Sequence, residues 1–479
     1  MTIRETDLRP VGAPAPSVQE ILDREVVDVP DVLREVSTAD LGSKEIPVGE
    51  YVSPEFHQRE IDAIWTKLWQ MACRMEDLPE VGDTVLYDIA DRTLLLVRTK
   101  PDEIKAYPNS CLHRGRQLRD VDGNVPELRC PYHGFCWNLD GSLKDLPCSW
   151  DFEHVDQANF NLPEYKVATW EGFVFINLDP NARPLEEQLG DVIRYMAVAR
   201  PRLSDRFKAV HVVKHMRCNW KVALEAFLES FHVLATHPQS VTYFGDINSQ
   251  YDVWPDQPNF NRMITPVGVS SPNLGDQVDE EEIMDALQRD QFFQDLFGAD
   301  EAPPLPPGKT AREFLADTIR AGLQAMTGFD GSELTTCEVN DAIQYFVFPN
   351  IIPWAGMGAP AVLRFRPYKK DPDSSIMDIM FLYPIPEGVV NPRGVSPRVL
   401  DFEERFSTIA ELGSIALGFD QDGDNLPKVQ LGLHSAGRPG VTLGTYQESR
   451  IRHFHQTLHS YLDSPAKSPA GNGSTNGSD

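Results

Sequence analysis

The sequence predicts an α+β chain in two parts: an all-β part, then an antiparallel sheet wrapped around long helices. Three observations carry that expectation. Short runs rich in β-branched and aromatic residues, separated by turn residues, fill 78–178. Strand-like runs return at 342–348, 361–367 and 375–384. Helical stretches, read from their apolar spacing, lie at 219–238, 401–418, 427–433 and 445–462. Strands and helices segregated into blocks indicate α+β.

In chain order, residues 1–46 are rich in Pro and acidic side chains, with one helix expected around Val18 to Val27. They read as an arm that wraps the body. Ser53-Pro54-Glu55 opens a helix, with Ser as N-cap, Pro at the first position and an acid in the first turn. Its apolar face is Phe56, Ile61, Ile64, Trp65 and Leu68. Strands are expected at 84–89, 92–98 and 104–107, and 165–178 closes an all-β domain spanning 47–180. A second domain, 181–463, begins with a helix at 191–196 and a strand at 208–215. Within it, 270–331 is an acidic helical insertion broken by Pro-rich 302–308, either capping a pocket or decorating the surface. The tail 464–479 is of low complexity and is expected to be disordered.

At 479 residues the chain has room for two or three domains, and 41 % hydrophobic content is that of a soluble globular protein. The net charge of −28 (44 basic against 72 acidic residues) disfavours nucleic acid and anionic membranes as partners, and it suits either a basic redox partner or solubility alone. No run of about 18 apolar residues predicts a membrane span. The N-terminus lacks the apolar core of a signal peptide. Of seven cysteines, Cys73, Cys136, Cys148, Cys218 and Cys337 show no regular spacing, so free thiols in a reducing cytoplasm are expected.

The chemistry concentrates in Cys111-Leu-His113, sixteen residues, then Cys130-Pro-Tyr-His133. A structural zinc site favours Cys with Cys and His with His. One Cys and one His in each half suits a [2Fe–2S] cluster in which two Cys bind one iron and two His the other, raising the potential. A Cys2His2 zinc site is the alternative. Loop-tip N–H groups would bond the sulfurs and tune that potential.

With its continuation Gly-Phe-Cys-Trp-Asn-Leu-Asp-Gly-Ser, the second half resembles the Rieske domain of the large (alpha) subunit of Rieske non-heme iron ring-hydroxylating oxygenases. The Rieske proteins of respiratory complexes carry an extra, disulfide-forming Cys in each loop. Here Arg116 and Tyr132 stand at those positions, which favours the oxygenase type. The resemblance implies a helix-grip (START-like) catalytic domain holding mononuclear Fe(II), and it runs from about Tyr51 to Tyr461.

A second donor set lies in Asn219 to His237. Leu224, Phe227, Leu228, Phe231 and Ala235 form an apolar stripe, with Glu225, Glu229 and His232 on its flank. On an ideal helix His237 falls about 140° from His232. One undistorted helix therefore cannot aim both at one ion, and a break or π-bulge between them, ahead of Pro238, is expected. The pair is similar to the family's two iron His, which a distant carboxylate completes as a facial triad with open positions for O2. In Gly418-Phe-Asp-Gln-Asp-Gly-Asp, Asp422 matches best, with Asp420 and Asp424 as alternatives. An exposed turn is the other reading of that acidic run. The family places an Asp three residues before the first His, bridging it to a cluster His of the next subunit. Glu229 occupies that position here, with His232 and a neighbouring His133 as its expected partners.

The implied activity is that of a terminal oxygenase. Electrons from NAD(P)H arrive through a flavin reductase or ferredoxin, and O2 is activated at Fe(II). A hydrophobic aromatic or alicyclic substrate is then cis-dihydroxylated, or monooxygenated or demethylated. A homotrimer or a multiple of it is implied, with or without a small beta subunit. Phe227, Val233, Leu234, Phe244, Trp254, Met263, Phe348, Ile352 and Trp354 are candidate pocket residues. The rival class is a non-catalytic Rieske electron carrier with an appended binding domain.

Overall fold

The computed structural model describes residues 16–289, 304–390, 392–413 and 415–463, the side chains of 276 and 277 excepted. The first 15 residues, part of the Pro-rich break and the tail 464–479 lie outside the described residues.

The larger part is organised on an eight-stranded sheet. Its strands run in the order Gln250–Val253, Phe260–Thr265, Ala342–Val347, Ile351–Pro353, Ala361–Pro367, Ser375–Pro384, Arg206–Met216, Arg398–Leu400. Pairing is antiparallel except for the last two, which are parallel. Strand alternation divides its side chains between two cores. Ile343, Tyr345 and Val347 pack against Leu189, Val192 and Tyr195, while Phe346, Leu363, Phe365 and Ile379 pack against Trp220, Leu224 and Phe454. The second face therefore holds the helices Trp220–Glu225, Ile415–His434 and Ser449–Leu462.

The arm covers the sheet's first edge. Val253 N donates to Ser37 O at 2.8 Å, and the Ser37 N–H reaches Asp252 at 2.9 Å. The buried Arg262, paired with Asp252, donates to Val32 O at 2.5 Å. Covering an edge in this way removes a template for aggregation. The arm's first helix stops at Leu22, short of the expected Val27, after a Ser17–Glu20 capping box.

The smaller part contains the expected strands as Asp83–Ile89, Arg92–Lys100 and Glu103–Pro108, in one four-stranded sheet with Gly123–Asn124. Lys166–Trp170 and Phe173–Asn177 pair with Gln70–Arg74. That last strand is fully buried and carries no polar alternation, so its sequence gives no period-2 signal. Charged groups join the two parts. Arg364, held by Asp378 at 2.6 Å, donates to Met71 O and Ala72 O, and Arg74 donates to Leu203 O and Arg206 O.

Three helical expectations are corrected. The stretch 219–238 is two helices, Trp220–Glu225 and Val233–Thr236, with turns between. The stretch 401–418 contains two short 3-10 turns, Phe406–Thr408 and Ala410–Leu412, before Ile415. From there one helix runs through the Asp-Gly-Asp-Asn segment to His434, with Pro427 inside it. Ala416, Phe419, Leu426 and Leu433 are buried at helical spacing, which overrides the turn propensity of that segment.

Candidate active site

Two loops of similar construction bring the first donor set together. Cys111 N donates to Arg116 O at 2.8 Å and Gly115 N returns to Cys111 O at 2.9 Å; Cys130 N donates to Phe135 O at 2.8 Å and Gly134 N returns to Cys130 O at 3.0 Å. Gly115 and Gly134 adopt φ of 74° and 85°, a conformation that other residues enter at a cost. Both thiols are buried and neither is in a disulfide. Burial raises the Cys111 thiol, and the adjacent Cys130 adds to the rise, while the backbone N–H groups of His113 and Arg114 oppose it. The two imidazoles meet edge to face at 4.6 Å, and His113 stacks on Phe135. Tyr132, 57 % exposed, lies against His133, which is itself exposed; Arg116 pairs with Asp120.

The donor geometry tests the zinc alternative. Around one tetrahedral zinc, four S and N donors lie roughly 4 Å or less from one another. Among the described residues, His232, His237 and Asp422 form the one group of three or more such donors lying within 4.8 Å. The Cys and His pairs of the loops do not converge on one point, whereas a two-iron cluster needs them in two pairs. The residues fit the cluster.

The second site forms at a helix break. After Glu225 the chain turns twice, Phe227 N to Leu224 O and Leu228 N to Glu225 O, before His232 caps the one-turn helix Val233–Thr236. His237 ends that helix at φ −123° and ψ 55°. One break therefore precedes His232, and the break expected ahead of Pro238 is the end of this helix at His237, with no π-bulge between the two His. It is the non-helical backbone of His237 that turns its ring to 5.3 Å from that of His232. Beyond the break the expected apolar stripe fails: Phe231 is 54 % exposed and Ala235 is exposed. Glu225 also leaves the site, bonding Tyr51 and His455.

Asp422 Oδ1 lies 3.1 Å from His237 Nε2 and 3.7 Å from His232 Nε2. Asp420 instead accepts from Phe406 N at 2.7 Å and, with Asp424, binds Arg405. Of the three candidate carboxylates, the structure brings Asp422 alone to the two His. Each imidazole has an oxygen at its other nitrogen: Glu229 at 2.6 Å from His232 Nδ1, and Gln421 at 2.7 Å from His237 Nδ1. Such partners place the ring proton on Nδ1 and leave Nε2 free for a metal. Burial disfavours charge on His232, but Glu229 and then Asp422 outweigh it and raise its basicity. Glu229 also accepts from His232 N at 3.0 Å. Gln421 was not legible in the sequence, where no spacing sets it apart from its acidic neighbours. Two imidazoles and one carboxylate on one side of an ion, with space opposite, fit mononuclear iron.

These groups line a cavity of about 740 Å³, which has room for a drug-sized molecule. Phe227, Val233, Phe244, Met263 and Trp354 line it as expected. Leu234 is instead 45 % exposed, Trp254 packs with Tyr195 and Phe260, and Phe348 and Ile352 are plain core. The insertion contributes Ala286, Arg289, Leu315 and Ile319 to the cavity wall.

A cysteine–histidine loop pair and a two-His, one-carboxylate cavity in one chain define an iron-dependent, two-centre oxidoreductase class. Residues 68–165 match the Rieske [2Fe–2S] domain, and residues 204–464 match the ring hydroxylating alpha subunit (catalytic domain). The chain belongs to the ring-hydroxylating alpha subunit family, whose members bind a [2Fe–2S] cluster and mononuclear iron. The carnitine monooxygenase oxygenase subunit of Acinetobacter pittii (strain PHEA-2) is 31 % identical over 189 residues, 39 % of this chain and 51 % of that protein. The biphenyl dioxygenase subunit alpha of Paraburkholderia xenovorans (strain LB400) is 29 % identical over 201 residues, 39 % of this chain and 43 % of that protein. The matched segment thus spans about half the length of these curated relatives or less. A quaternary ammonium Rieske monooxygenase solved with L-carnitine shares the fold, with a TM-score of 0.61 at 18 % identity over 88 % of this chain and 96 % of that one.

Proposed function

We propose that this chain is the terminal oxygenase of a multicomponent system that hydroxylates or demethylates a largely apolar substrate. The observation that carries the reading is the opening of the His232, His237 and Asp422 group onto the apolar cavity. Cys111, Cys130, His113 and His133 hold the cluster, in a domain spanning 47–180. His232, His237 and Asp422 hold iron in the domain 181–463. When bound, the cluster supplies single electrons and the iron supplies O2 activation.

The chain's own residues do the rest. Glu229 and Gln421 hold the Nδ1 protons of the two imidazoles and fix the ring planes. Phe227, Val233, Phe244 and Met263 exclude water from the cavity and orient the substrate. Exposed His133 offers its free edge to the Glu229 of a neighbouring subunit, so the working form is a trimer or a multiple of it. Electrons enter from NAD(P)H through a reductase, with or without a ferredoxin. All seven cysteines are free, which supports a reducing cytoplasmic setting. Among the described residues no helix is long and apolar enough to cross a membrane.

Glu229→Gln tests the bridge. It is expected to retain both iron centres while lowering coupled product formation at least ~10-fold, because the charged partner of His232 is lost. Full coupled turnover with both centres intact would sink the bridge.

A further inference from the structure

The cavity wall contributed by the insertion carries a positive charge. Two helices form this cap, Glu280–Arg289 and Ala311–Thr327, and from it Ala286, Arg289, Leu315 and Ile319 line the cavity. The cap is fixed in place. Glu280 accepts from Ala311 N at 2.7 Å, and buried Arg312 pairs at 2.9 Å with Asp341, at the start of strand Ala342–Val347. Ile283, Met284 and Leu287 pack into a core with Leu315 and Ile319. Ala286 and Arg289, three residues apart, share a different face of the first helix, and both line the cavity.

Among the described residues that line the cavity, Arg289 alone has a guanidinium or ammonium group. The lining acids Glu229 and Asp422 are taken up by the two His. Arg289 stands four residues after Asp285, the spacing of a helical ion pair. It forms no such pair, because its Nε donates to the Asp285 carbonyl oxygen at 3.0 Å. Among the described residues no carboxylate pairs with it. Its terminal nitrogens stay available, and the side chain is exposed, so a molecule in the cavity can reach them. A guanidinium presents its N–H groups as a fork that matches the two oxygens of a carboxylate.

We propose that Arg289 anchors a substrate carboxylate, so that the molecule taken into the cavity is an apolar acid rather than a neutral hydrocarbon. The inference rests on the cavity being the substrate site, as above, and narrows the substrate class. Arg289 holds the carboxylate where the cavity meets solvent. The apolar body then extends past Ala286, Leu315 and Ile319 toward the His232, His237 and Asp422 group. A neutral molecule of the same shape would fill the cavity without the ion pair.

The test uses the iron-loaded full chain and pairs matched in shape but not in charge, 2-naphthoate with 2-naphthamide and biphenyl-4-carboxylate with its amide. Dissociation constants come from equilibrium dialysis at neutral pH. In at least one pair the acid is expected to bind about fivefold tighter, the size of a solvent-accessible ion pair. Added salt should shrink that preference. Arg289→Gln is expected to reduce it below ~2-fold without weakening the amide. Arg289→Lys, a point charge in place of the fork, should retain part of it. Equal affinities, or no binding of any of the four compounds, overturn the proposal. So does a preference that survives Arg289→Gln, which would place the carboxylate on the iron instead. Equal weakening of acid and amide in Arg289→Gln shows a structural role and overturns it as well. An acid preference lost in Arg289→Gln, but without O2-dependent product in the parent, would leave the anchor standing and remove the oxygenase reading instead.

Discussion

Replacing Gln421 by Leu removes the oxygen that holds the Nδ1 proton of His237 while nearly preserving volume. The lost contact is 2.7 Å long, and the other nitrogen of the same ring lies 3.1 Å from Asp422. Partners of this kind are worth about 10–100-fold in metal affinity, or roughly 1.4–2.8 kcal/mol. The lower end applies here, because Gln421 is only half-buried and solvent can supply a substitute oxygen. About tenfold weaker Fe(II) binding is therefore expected, measured anaerobically by competition with a chromophoric chelator. The visible absorption of the cluster should not change. Gln421→Glu, which accepts the same proton with charge assistance, is expected to bind at least as well as the parent. A Leu variant with unaltered affinity would refute the idea that Gln421 sets the orientation of His237.

Two further predictions concern the scaffold of the site. Lys221 and Glu60 form a fully buried pair at 2.5 Å that ties the Trp220–Glu225 helix to Pro54–Glu60. Lys221→Met strands the carboxylate and should cost ~3–5 kcal/mol in urea unfolding, much of it recovered by adding Glu60→Met; a loss under ~1 kcal/mol would contradict this. His453 is pushed down to about 4 by burial and by Arg450 beside it, so it stays neutral in the folded state. Between about pH 6.5 and 4 the unfolded chain takes up a proton that the native chain refuses, so its contribution, on the order of 3 kcal/mol, is lost as pH falls. Urea midpoints should decline less steeply from pH 7 to pH 5 in His453→Gln than in the parent, and equal slopes would refute the assignment.

How much of this was legible in the sequence depended on whether spacing or local geometry carried the information. The loop donors Cys111, His113, Cys130 and His133 declared themselves because each pair is closed by one tight turn. Strands Ala361–Pro367 and Ser375–Pro384 stand where their residues suggested, since β-branched and aromatic content marks such segments. The break ahead of Pro238 was legible and stands at His237, but the additional break before His232 was not, because nothing local in Phe227 to Phe231 signals a helix end. The helix through Asp422 was hidden by Gly and Asp residues that favour turns in isolation and are overridden by buried Phe419 and Leu426. Gln421 was beyond reach, since its meaning lies in the ring nitrogen it meets across 184 residues.

The central claim is that one chain holds two separate iron centres, with His232 belonging to the second. Iron quantitation on the anaerobically reconstituted protein tests it most directly. Three irons per chain are expected in the parent and two in His232→Ala, with the absorption of the cluster unchanged between them. Two irons in both proteins would contradict the account and leave an electron carrier in its place.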